Sequence, residues 1–368
     1  MDTTTTTTRY CSTIGGILAE DGNTCCANSC GTCGGYGCDT RPGGKSSCCI
    51  SEIISNNISC DTNDPPCLKS TTSSSTGSVQ REVEVGIFTG STSPKQREDD
   101  FGMEVWSYRL IFMSIFDLQF YKIEDVFNDG YTPILNMEFL SSSSTPVLQK
   151  IIDGIYDDEL WKFATECTDY GKTFWIRTLH EYNGDWYPWG ILYWYEGKQS
   201  NTMDQYKQAL NKIIGIFKTK GAPVKFQLDI NNVNGLDDTT PLSYFWPGDE
   251  NIDAVTITAY NRAYSTPNHQ YSWSFYKHFQ PAYDAISKLT SKPIWVAETA
   301  TTSYGTDKST WIRECFRSIA LDFPRITQVT WFLYNKDEEG MLLDWDLNTD
   351  EQKQAFKDGF LELKELTS

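Results

Sequence analysis

From Arg81 onward the chain alternates short apolar runs with amphipathic stretches. The apolar runs predict strands at Val83–Phe88, Ile111–Phe116, Pro133–Met137, Phe174–Leu179, Val224–Leu228, Ala254–Thr258, Ile294–Ala297 and Gln328–Leu333. Between them the spacing turns helical. Met203, Tyr206, Leu210, Ile213, Ile214 and Phe217 share one face of a helix, as do Ile312, Cys315, Phe316 and Ile319. A last helix is predicted near Glu351 to Leu363. Eight strands alternating with helices over about 290 residues predict an α/β fold of the (β/α)8 TIM-barrel type. A doubly wound open sheet is the second choice, but no glycine-rich phosphate loop accompanies it.

Cysteine usage separates what precedes this pattern. Ten of the twelve cysteines fall between Cys11 and Cys67. Few large apolar residues accompany them, so disulfides are expected to replace a core there. Cys30 and Cys33 have the C-x-x-C spacing of a zinc or redox site, but among so many neighbours the structural reading is preferred. The expected organisation is an unstructured tail (1–10), a disulfide module (11–67), a Ser/Thr linker (68–81) and the barrel (82–368). Such a framework requires an oxidising compartment, so secretion is expected. The threonine-rich amino terminus is not a secretory signal, and the export signal is expected to be missing from this sequence. Asn57-Ile58-Ser59 is a glycosylation sequon. Cys167 and Cys315, on separate helices, are read as buried free thiols.

The formal net charge of −18 argues against nucleic acid or anionic lipid as a partner. No apolar run is long enough to span a membrane. With three histidines in the chain, a three-histidine metal centre is not expected, and neither metal nor cofactor is called for. A monomer is expected.

Chemistry in a TIM barrel gathers where the strands end. Strand 4 runs into RTLHEYNGDWYPWG, carrying Arg177, His180, Glu181, Trp186 and Trp189; strand 7 ends at Glu298 in KPIWVAETA. Strand 6 ends at Tyr260, and strand 8 supplies Trp331. Two carboxylates facing each other across the mouth suit cleavage of a glycosidic bond with retention, which needs them about 5–5.5 Å apart. Glu181 among aromatic rings is expected to keep its proton, and Tyr260 to donate to an ionised Glu298. Arg177 and His180 are expected to orient the pair and the sugar hydroxyls. Trp186, Trp189 and Trp331 are expected to stack on the apolar faces of pyranose rings.

The block RTLHEYNGDWYPWG resembles the acid/base signature of glycoside hydrolase family 26. YFWPGDENIDAVTITAYN, KPIWVAETA and VTWFLYN resemble further segments of that family. The resemblance covers residues 82–368. It implies Glu181 as acid/base, Glu298 as nucleophile, and sugar-contacting or supporting roles for His180, Trp186, Tyr260 and Trp331. It also implies a retaining, endo-acting mechanism without a metal. Many members have glycine two places after the nucleophile, where this chain has Ala300. The family implies a β-1,4-mannan as the first substrate to expect. Mixed-linkage β-1,3-1,4-glucan and β-1,3-xylan follow, and DWYPW also resembles the glucanase-type members.

A second class of function is a non-catalytic glycan-binding protein of a cell wall or extracellular matrix, and both intact glutamates argue against it. The cysteine-rich module is a possible glycan or matrix anchor, although its few aromatics (Tyr10, Tyr36) make a poor stacking surface.

Overall fold

A computed structural model describes residues 81–368 apart from 141–144, 267–268 and 339. Nearer the amino terminus it describes the backbone of two small antiparallel hairpins, Gly16–Leu18 with Cys25–Ala27 and Asp39–Arg41 with Lys45–Ser47. The chain divides into two compact units, Met1–Val79 and Gln80–Ser368. The expected disulfides, the Cys30/Cys33 spacing, the sequon and the linker up to residue 80 lie outside the described residues.

The second unit is a closed barrel of eight parallel strands. In chain order they are β1 (Glu84–Phe88), β2 (Tyr108–Ser114), β3 (Thr132–Glu138), β4 (Phe174–Thr178), β5 (Val224–Asn231), β6 (Ala254–Asn261), β7 (Ile294–Thr301) and β8 (Ile326–Phe332). Each pairs with its neighbour in sequence, and β8 closes on β1. Around them run α1 (Pro94–Phe101), α2 (Tyr121–Asn128), α3 (Asp157–Tyr170), α4 (Met203–Lys220), α5 (Phe275–Leu289), α6 (Lys308–Leu321) and α7 (Asp350–Thr367). The expected alternation breaks once. Between β5 and β6 there are two 3-10 turns, Gly235–Asp237 and Leu242–Phe245, in place of an α-helix.

Local chemistry sets the element ends. Thr202 and Gln205 form a reciprocal capping box at the start of α4, and Gly221 ends it in the left-handed conformation. Its buried face includes Tyr206, Leu210, Ile213, Ile214 and Phe217, five of the six positions predicted to share a side. Cys167 on α3 and Cys315 on α6 are buried free thiols.

The barrel interior has two storeys. At the amino-terminal end, Tyr108, Leu110, Ile134, Trp175, Ala254 and Trp295 form an apolar plug. Above it the inward positions are polar: Asn136, Arg177, Gln227, Asp229, Thr256 and Thr258 are all buried. Buried polar groups are costly unless paired, so this storey must be a connected hydrogen-bond network.

Strand β7 contains the irregularity that matters most. Between Ile257 and Ala259 of β6 the pairing advances two residues, while β7 advances three, from Val296 to Thr299. The same extra residue shows against Val329 and Trp331 of β8. This bulge changes which positions face inward. Trp295 points into the plug, whereas above the bulge Glu298 and Ala300 point in, and Thr299 pairs with the outward Trp331.

Candidate active site

Glu298 is buried at the centre of the polar storey. Arg177, from β4, donates to its Oε1 at 2.8 Å, Asn136 of β3 donates to the same oxygen at 3.5 Å, and Tyr260 of β6 donates to Oε2 at 2.7 Å. The Arg177 guanidinium is itself fixed by Gln227 (3.0 Å) and the Ala297 carbonyl (3.1 Å). Burial raises the Glu298 carboxyl above its ordinary range, and the Arg177 charge and Tyr260 hydroxyl pull against that rise.

Glu181 stands just beyond the end of β4 on a contorted backbone. Leu179 (φ 51°) and Glu181 (φ 50°) both lie in the left-handed region, on either side of His180. Such residues cost on the order of 1–3 kcal/mol each and persist where the surroundings hold them. Here Asp229, inward on β5, accepts the Glu181 backbone N–H at 3.2 Å and is anchored by the Thr256 hydroxyl at 2.8 Å. Asn183 ties the same loop to β5, donating to the carbonyls of Asn231 (2.9 Å) and Val233 (3.1 Å) and accepting from the Asn231 N–H at 2.8 Å.

The Glu181 side chain accepts the Trp186 indole N–H at 2.6 Å. Its carboxyl is pushed up to about 8, first by burial, then by the charges of Asp229 and Glu298; hydrogen bonds from Trp186 and Asn231 oppose this. Gly184 explains the NGDW spacing. A β-carbon there would sit 2.5 Å from the Trp186 ring, so only glycine lets the indole lie back over its own loop toward Glu181. Trp186 remains 41% exposed, which leaves ring surface available to a ligand.

His180 is buried beneath these groups, against Phe112, Tyr187 and Trp189. Burial and the Arg177 charge hold its pKa well below the ordinary value, so the ring is neutral. Arg177 is fully buried and contacts the carboxylate of Glu298, so its place is behind the groove.

Two sequence expectations are corrected. Trp189 is fully buried, donating its indole N–H to the His180 carbonyl at 2.7 Å, so it supports the loop and presents no face to a sugar. Trp331 is also buried. It points outward from β8 into the helix layer, against Phe316 of α6 and Phe356 of α7, because alternation sends Phe332 to the interior instead. The methyl of Ala300, where many family members have glycine, packs in a buried cluster with Phe332, Leu343 and Trp345.

Sequence reasoning missed two carboxylates, Glu138 and Asp229. Its strands 3 and 5 stopped at Met137 and Leu228, one residue short of each. An acidic residue closing an apolar run in ILNME and in KFQLD was the available signal. Asp229 is raised to about 7, mainly by burial, against Arg177 and the Thr256 hydroxyl. Glu138 is raised to about 7 by burial and then by the charge of Glu298. Of these acids, Glu298 and Asp229 feel the Arg177 charge, which opposes the rise that burial causes in each. Among the described residues no helix is long and apolar enough to cross a membrane.

A closed parallel barrel with two buried glutamates at the ends of β4 and β7 defines the class. Residues 126–286 match the family model described as Glycosyl hydrolase family 26, a segment that contains Glu181 and Tyr260 and stops before Glu298. Endoglucanase H of Acetivibrio thermocellus is 35% identical over 207 residues, covering 56% of this chain. The chain spans 22% of that relative's length. A Bacillus subtilis mannanase is similar in structure with a TM-score of 0.53 at 17% identity, over 76% of this chain and 85% of its own. GH26C from a Muricauda species gives 0.55 at 15%, over the same shares of the two chains. Those two likenesses concern the fold. Over residues 126–286, which run from α2 to α5 of the barrel, the chain is similar to glycosyl hydrolase family 26.

Proposed function

We propose that the barrel is a retaining, endo-acting β-glycanase in which Glu298 is the nucleophile and Glu181 the acid/base. The observation that carries this is the unequal treatment of two buried glutamates. Glu298 is in direct contact with the Arg177 guanidinium, and Glu181, with no ion pair among the described residues, is pushed up to about 8. The first proton lost therefore comes from Glu298, which leaves one carboxylate and one acid as double displacement requires. Glu298 attacks the anomeric carbon while the glycosidic C–O bond breaks and the Glu181 proton passes to the leaving oxygen. Glu181 then removes a proton from water, which attacks the same carbon and frees Glu298.

Trp186 places a half-open ring beside the acid, where the departing sugar would stack. A glucan stands first as substrate, because the relative at 35% identity is an endoglucanase. The mannan expected from the motifs stands second, and β-1,3-xylan third. The dense cysteine set supports secretion of the protein, with the amino-terminal module as a wall or glycan anchor.

The test is to incubate the protein with barley β-glucan, glucomannan, galactomannan and β-1,3-xylan and to measure new reducing ends. Cleavage of at least one is expected, with Glu298→Ala abolishing turnover while binding persists. Release from none, or an active Glu298→Ala, overturns the proposal.

A further inference from the structure

Glu138 and His180 are unexplained by the double displacement just described. Glu138 closes β3, two residues above Asn136 on the same inward face, and Asn136 reaches the nucleophile. Its side chain keeps 18% of its surface open, so a ligand in the mouth can touch it. Among the described residues its carboxylate makes no hydrogen bond. His180 stands beside it, with Nε2 to Oε1 at 3.9 Å, beyond hydrogen-bond range. Both ring nitrogens of the buried His180 also lack a protein partner. Native interiors rarely leave such groups unmatched, and each calls for a reason. Here an unmatched acceptor and an unmatched imidazole sit side by side, next to the nucleophile and open to the mouth on one side.

We propose that Glu138 is a specificity-determining residue, accepting a hydrogen bond from a ring hydroxyl of the sugar unit that becomes attached to Glu298, with His180 positioning it from behind. The placement follows from β3. Asn136 touches Glu298, so a side chain one step higher on that face lies beside any sugar bonded to Glu298. The chemistry follows from the pair. A carboxylate accepts from hydroxyl groups and can take two at once, which suits a pyranose with neighbouring hydroxyls. The neutral imidazole behind it adds no charge to be neutralised, and it packs so closely with Tyr187 and Trp189 that it limits where the carboxylate can swing. Recognition by a buried hydrogen-bonding group also discriminates strongly, because a sugar lacking the hydroxyl leaves that group unmatched.

This inference rests on the glycanase reading, and its test separates the two. Glu138→Gln, which preserves shape, and Glu138→Ala are compared with the unmodified protein on the polysaccharide it cleaves. Both are also assayed on oligosaccharides whose unit on the nucleophile side lacks one hydroxyl. A loss of about 10- to 100-fold in kcat/KM is expected for Glu138→Ala on the complete sugar, the scale of a hydrogen bond to a charged group. For one deoxy position, substrate and enzyme changes are expected to be non-additive, so that the variant and the unmodified protein nearly converge. Additive losses at every position, or kcat/KM unchanged in both variants, overturn the assignment of Glu138 while leaving the glycanase reading intact. A parent protein that cleaves no glycan overturns both. Thermal melting of Glu138→Gln guards against misfolding, since an unchanged melting temperature with lost discrimination supports recognition, whereas a collapse of the fold with discrimination retained by the folded fraction opposes it.

Discussion

The carboxylate of Asp229 receives the backbone N–H of Glu181 at 3.2 Å, so one buried acid both holds another in place and helps it keep its proton. The contact fixes a main chain in the left-handed region, and the Asp229 charge raises the proton affinity of Glu181.

Asp229→Asn should therefore have two effects. Removing the charge lowers the Glu181 pKa, so the alkaline limb of kcat/KM, which needs protonated Glu181, moves to lower pH. Loosening the turn should also reduce kcat, by about 10- to 100-fold if one hydrogen bond's worth of positioning is lost. A pH–rate profile with an unmoved alkaline limb would refute the coupling.

Trp186→Phe should shift the same limb the other way. The indole N–H stabilises ionised Glu181, and phenylalanine keeps a ring without that donor. The Glu181 pKa rises and activity extends to higher pH. Measured side by side, the two variants should bracket the parent profile, and shifts of the same sign would contradict the assignment.

The buried Trp331 and the half-open Trp186 predict a division between stability and binding. Trp331→Ala removes a buried ring between β8 and two helices and should cost about 3–5 kcal/mol in denaturant unfolding. Trp186→Ala should cost about 1 kcal/mol or less in stability while raising KM. Equal destabilisation by both would be inconsistent with their placement.

Melting temperature should rise as pH is lowered from about 8.5 to about 6.5. Glu138 (about 7), Glu181 (about 8), Asp229 (about 7) and Glu314 (about 7) hold protons in the native state that the unfolded chain has released. Their stabilisation is complete below the ordinary carboxylate range and disappears as pH rises through the folded values. His278, lowered to about 4, acts oppositely, with stability present above about 6.5 and lost as pH falls, so it leaves this window undisturbed. Glu181→Gln should flatten the slope, and a melting temperature independent of pH would refute the picture.

The eight strands were legible because each is an apolar run bounded by polar turns, and the motif after strand 4 marked Glu181 directly. What escaped depended on the face a residue takes. Trp331 and Phe332 are adjacent and equally apolar, and only registration against β7 decides which turns inward. Glu138 and Asp229 were missed because apolarity stops one residue before each, although the strand continues. The missing helix between β5 and β6 was equally hidden, since Leu242, Tyr244 and Phe245 supply apolar residues without the length of a helix.

The extra residue in β7 makes the reactive centre a matter of counting. With strict alternation from Trp295, the strand would aim Ala297 and Thr299 at the axis and turn Glu298 toward the helices. Deleting a single residue between Val296 and Glu298 would leave both proposed catalytic glutamates in the polypeptide and still turn one away from the other. Homologues aligned by composition alone through this strand can pass for competent while their carboxylate faces the wrong way.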